Sequence, residues 1–78
     1  MVIETSKELE AFCHSLRTAP ALFVDTEFVG EGRYYPEVGA IQVAADGAAA
    51  VIDPLAVRDL SPLTPLLTDP DIEKVFHA

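Results

Sequence analysis

The sequence is 78 residues long, half of them apolar, with a formal net charge of −8. That length holds one small domain that buries only about 60% of its unfolded surface, and the apolar share is too high for a disordered segment. The five basic residues, Lys7, Arg17, Arg33, Arg58 and Lys74, are scattered, so the chain lacks the clustered cations that hold a phosphate backbone electrostatically.

No apolar run reaches the roughly 20 residues of a membrane span. Cys13 is the only cysteine and cannot form an internal disulfide. With no signal peptide at its start, the chain reads as cytoplasmic, in a reducing compartment.

Thr5 and Glu8 fit the S/T-x-x-E capping box, which satisfies free N–H groups at a helix start. Leu9, Phe12, Cys13 and Leu16 follow at i, i+3, i+4 and i+7, one apolar helical stripe, and Pro20 is expected to end the element. Residues 21–28 read as a strand. GEGRYYPEVG, residues 30–39, reads as a loop through its glycines and Pro36. Val38–Ala45 and Ala48–Asp53 are two further strands joined at Asp46-Gly47, the hairpin signal of a type I′ turn. Asp53-Pro54 stops the second. A short helix or two are expected between Leu55 and Thr68, with Ser61 as N-cap and Pro62 at the first helical position. Asp69-Pro70-Asp71 is a turn, and IEKVFHA begins one more strand. Because the chain ends on an apolar strand, it is read as the N-terminal piece of a larger protein.

The stretch ALFVDTEFVG sets two carboxylates, Asp25 and Glu27, in an apolar strand with no Lys or Arg within four residues. Alternate strand residues share a face, so the two project together about 7 Å apart. Acids so placed either give up one charge or share a cation. Oxygen-only ligands suit a hard ion such as Mg²⁺. Two such ions about 3.5–4 Å apart can hold both the attacking and the leaving oxygen of a phosphodiester. The same D-x-E spacing also occurs on strands with one solvated face, where it binds nothing.

The words around the pair decide between these. FVDTEFVGEGRYYPEVGAIQVA resembles the first motif of the ribonuclease D family, 3′→5′ exonucleases of the DEDD class. VIDPLAVRDLSPLTPLLTDPDIEKVFHA continues the likeness, which runs from about Leu22 to Ala78. The resemblance implies an incomplete RNase H-like α/β fold: an N-terminal helix, three antiparallel strands, a short helix and the start of a fourth strand. Residues 1–78 would be the N-terminal part of a 3′→5′ exonuclease domain, cut before the second motif is complete.

It further implies Asp25 and Glu27 as catalytic metal ligands, the first two of four acids that bind two Mg²⁺ or Mn²⁺ ions. Substrate contacts are implied at Thr26, Phe28, Gln42 and His77. Phe28 reads either as part of the wall for the 3′-terminal nucleotide or as a core aromatic. Gln42 reads as a buried amide bonding the backbone, and His77 either as a core histidine at a strand end or as a ligand. Tyr34, Tyr35 and Pro36 match a family loop, whereas Gly30 and Gly32 stand where relatives carry long polar residues. The implied partners are RNA 3′ ends, tRNA precursors among them, with release of nucleoside monophosphates. Two of four acids leave this piece alone inactive. A DNA exonuclease of the same superfamily and a non-catalytic acidic protein-binding module remain the alternatives. The latter would use the exposed sheet edge, which also allows self-association.

Overall fold

The computed structural model describes residues 1–29, 37–45 and 47–77. Helix α1 (Ser6–Ser15) begins as its capping box dictates. Thr5 Oγ1 accepts from the Glu8 N–H at 3.2 Å. Glu8 Oε1 accepts from the Thr5 hydroxyl at 3.0 Å and, one residue further back than the usual box, from the Glu4 N–H at 3.2 Å. The Glu4 N–H and the Thr5 hydroxyl hold the Glu8 carboxyl below its ordinary range. Leu9, Phe12, Cys13 and Leu16 are all buried, so the stripe is the helix's core face. Burial pushes the Cys13 thiol up. The helix ends at Leu16, whose N–H donates to the Cys13 carbonyl at 3.1 Å, and the Arg17 N–H donates to the His14 carbonyl at 3.3 Å; Pro20 stands at the entry to the next strand.

Five strands form one mixed sheet: β1 (Val2–Ile3), β2 (Ala21–Val29), β3 (Glu37–Ala45), β4 (Ala48–Ile52) and β5 (Glu73–His77), in the order β1-β4-β3-β2-β5. β2, β3 and β4 are the antiparallel set expected from the sequence, while β5 lies parallel to β2. β1 was not anticipated. It pairs parallel with β4, Val2 opposite Val51 and Ile3 opposite Ile52. The β3–β4 turn carries Gly47 at φ +80°, the left-handed conformation that glycine adopts without steric cost. Asp46 lies outside the described residues. After β4, Asp53 Oδ1 accepts from the Leu55 N–H at 2.9 Å, an Asx turn that carries the chain off the sheet.

The second helical segment is two short turns, and its cap differs from expectation. Ser61–Leu63 is a 3₁₀ turn capped at Leu60, and α2 (Thr64–Leu67) is a single turn. Ser61 is therefore not the N-cap. Asp59 Oδ1 instead accepts the Ser61 N–H at 3.0 Å. Pro65 explains the geometry: it has no N–H for the α-helical bond to the Ser61 carbonyl, which accepts the Thr64 N–H instead.

The core lies on one side of the sheet. Ile3, Leu22, Val43, Ala50 and Ile52 meet α1 and the Val57, Leu63 and Leu66 side chains there. Among the described residues nothing covers the opposite face, where Val2 and Phe23 are 57% and 54% exposed.

Candidate active site

The strand period of two sorts β2 cleanly. Leu22, Val24 and Thr26 line the helix-covered side, where a groove of about 280 Å³ runs beneath α2 and beside Phe76. Phe23 and Asp25 line the open side, in a trough of about 270 Å³ with Gln42, Val51, Val75 and His77. By the same alternation Glu27 follows Asp25 on the open face. It is exposed and opposite Ala40, just before a bulge in the β2–β3 ladder at Glu27/Phe28. Bulges of this kind re-aim side chains beside functional sites.

Register builds the site across three strands. Asp25 stands opposite Gln42 on β3 and His77 on β5. One row nearer the strand start, Phe23 stands between Ala44 and Val75. The trough is thus apolar up to Phe23 and turns polar at the Asp25 row. His77 Nδ1 lies 3.5 Å from Asp25 Oδ1, the imidazole 85% exposed and the carboxylate side chain 41%.

Of the residues expected at the site, Asp25, Glu27, Gln42 and His77 share the open face. Gln42 is exposed, which corrects its reading as a buried amide. The exposure of His77 likewise excludes its reading as a core histidine. Thr26 points to the opposite side and is not brought to the acids. The side chain of Phe28, and Gly30, Gly32, Tyr34, Tyr35 and Pro36, lie outside the described residues. The sequence reading missed the Asp25–His77 contact, because it depends on parallel pairing of β2 with β5. It also missed the apolar trough behind Asp25, although the alternation of Phe23 with Asp25 and of Val75 with His77 carries that signal.

Among the described residues, no group of three His, Cys, Asp or Glu side chains is gathered closely enough to enclose a metal ion. The donor chemistry of Asp25 and Glu27 nevertheless fits a hard divalent cation: oxygen ligands only, on a face whose described strand residues include no Lys or Arg. Lys74, the nearest cation in the sequence of β5, has its ammonium on the Asp69 carbonyl. Mg²⁺ is ordinarily held by one or two carboxylates, with water and substrate oxygens completing its octahedron.

A family model for 3'-5' exonuclease matches residues 1–78. The chain is 49% identical over 79 residues to ribonuclease D of Zymomonas mobilis, covering 99% of this chain and 20% of that protein. It is 44% identical over 77 residues to ribonuclease D of Escherichia coli, again 99% of this chain and 20% of the relative. It therefore spans about one fifth of the length of the curated relatives it matches. The crystal structure of Escherichia coli RNase D, an exoribonuclease involved in structured RNA processing, superimposes with a TM-score of 0.90 at 44% identity, over 100% of this chain and 21% of that one. The sheet shares the RNase H-like arrangement of these enzymes. The chain belongs to the 3'-5' exonuclease family, in its ribonuclease D group.

Proposed function

We propose that residues 1–78 form the N-terminal, acid-bearing part of the active site of a 3′→5′ exoribonuclease, acting in the cytoplasm on stable RNA 3′ ends, tRNA precursors among them. The observation that supports this most is the pair formed by Asp25, which lines the polar end of the trough, and Glu27, exposed two residues further along the same sheet face. In this reading the two carboxylates offer oxygens to divalent cations, Mg²⁺ or Mn²⁺. When bound, such ions supply the Lewis acidity that activates a water and neutralises charge on a leaving 3′-oxygen.

The chain's own contribution is positioning. The pleat of β2 holds the carboxylates on one face about 7 Å apart. Pairing to β3 and β5 on both sides fixes the strand that carries them. The apolar floor of Phe23 and Val75 lowers the local dielectric on one flank, which strengthens attraction for a cation. Hydrolysis of the terminal phosphodiester releases a nucleoside monophosphate. Two carboxylates do not complete a ligand set for two ions, so residues 1–78 alone are expected to be inactive. The outer edge of β5 has no partner among the described residues and offers a second copy a strand to pair with.

The test uses the full-length protein, 5′-labelled RNA and Mn²⁺. The expected result is stepwise shortening from the 3′ end, weak action on DNA of the same sequence, and slower turnover in Asp25→Ala and Glu27→Ala. The loss should exceed about 100-fold, the upper range for removing even an outer-shell partner of a metal. Undiminished turnover in both variants overturns the reading, and equal digestion of DNA moves the substrate class.

A further inference from the structure

Among the described residues Asp25 is the acid that lines the trough, and its side chain has a neighbour of opposite potential charge that comes from another strand. His77 is its register partner on β5. Paired strands lie about 4.8 Å apart, and residues in register present their side chains on the same face. The 3.5 Å approach of Nδ1 to Oδ1 therefore follows from the ladder itself and not from a chance reach of one long side chain. The two-acid account of the site makes no use of it. The histidine stays at the rim of the trough, exposed, while its partner is the more enclosed of the two.

The geometry points to His77 as a positioning residue for Asp25. Its Nδ1–H donates to Oδ1, fixes the plane of the carboxylate, and leaves the second carboxylate oxygen free for a divalent cation. This inference rests on the proposed reading of Asp25 as a metal ligand. Carboxylates that ligate metals are themselves hydrogen-bonded, and loss of such an outer partner typically lowers metal affinity 10–100-fold. A separation of 3.5 Å exceeds a fully formed N–H···O bond. Contacts of this kind run long in ligand-free sites and tighten when the site is loaded. An exposed pair adds little to folding, so His77 can be replaced without unfolding the protein.

The experiment is a Mn²⁺ titration of the full-length protein, with free Mn²⁺ read by electron paramagnetic resonance and the fold checked by circular dichroism. His77→Ala should weaken the site about 10-fold, the lower end of the outer-shell range. His77→Asn places an amide nitrogen where Nδ1 stood and should keep affinity within about threefold of the parent, since the donor is restored. His77→Gln carries its nitrogen further out, at the place of Nε2, and should behave like His77→Ala. Asp25→Ala should abolish the site. If Asp25→Ala abolishes binding but His77→Ala binds like the parent, the metal-site reading stands and the positioning role is wrong. Equal affinities for the Asn, Gln and Ala variants overturn it as well, since a role through Nδ1 must separate them. If Asp25→Ala leaves Mn²⁺ affinity unchanged, the underlying reading fails and the positioning role falls with it.

Discussion

The two residues of β1 make opposite predictions. Ile3 is fully buried and Val2 is 57% exposed, although both belong to the same short edge strand. Besides its parallel ladder with β4, the strand is held at its ends by Met1 O accepting from the Val51 N–H at 2.9 Å and Ile3 O from the Asp53 N–H at 3.1 Å. Truncating Ile3 to alanine leaves those backbone bonds in place and removes three carbons from the core. At about 0.8 kcal/mol per buried carbon group, the transfer loss is about 2.4 kcal/mol. A rigid cavity would carry the cost toward the top of the roughly 2–5 kcal/mol range for such truncations. An edge strand with one neighbour can move inward, so the expected loss is about 2–3 kcal/mol, in the lower half of that range. Val2→Ala, on the uncovered face, should change stability by no more than about 0.5 kcal/mol. Equilibrium urea unfolding followed by circular dichroism measures both. A loss below about 1 kcal/mol for Ile3→Ala, or equal losses for the two variants, would refute the docking of β1 on the core side of β4.

Gly47→Ala should destabilise the β3–β4 hairpin by about 1–2 kcal/mol, the cost of a left-handed backbone for an L-residue. A Cβ there meets nothing within 4 Å, so the whole cost is conformational; Gly47→Asn should recover part of it, and equal stability of all three proteins in thermal melts would contradict the assigned turn geometry. The Glu8 carboxyl is held below its ordinary value of 4.5 by the Glu4 N–H and the Thr5 hydroxyl. A depressed acid stabilises the fold above its unfolded value, and that contribution is lost as pH falls through the folded one. Thr5→Ala should raise the Glu8 value toward 4.5 in an NMR titration, and an unchanged midpoint would show that the cap does not act on it.

Local patterns in the sequence carried much of this fold. The capping box, the apolar stripe of α1, the strand around Asp25 and the Asp-Gly hairpin each depend on neighbours within a few residues. Physical chemistry acts there over the same short range that a sequence displays. β1 escaped because two residues are too few for a period, and because its partner Val51 lies far along the chain. Ser61 was misplaced as a cap because two prolines, Pro62 and Pro65, compete for one short helix. The missing N–H of Pro65 selects a 3₁₀ start. At the site, the common face of Asp25 and Glu27 follows from strand alternation alone. The approach of His77 does not, since parallel pairing of β2 with β5 is a long-range event with no local signature. The wrong side of Thr26 was legible in principle, because the residue between two same-face acids must point away.

The claim that Asp25 and Glu27 share a divalent cation is tested most directly by paramagnetic broadening on the full-length protein. Substoichiometric Mn²⁺ should erase the amide signals of residues 25–27 first and reach Gln42 and His77 next. Leu9 and Phe12, on the core face of α1, should keep their signals at the same ratio. Broadening that begins instead at exposed acids away from this face, such as Glu4 and Glu10 near α1, or that leaves residues 25–27 unaffected, would contradict the account.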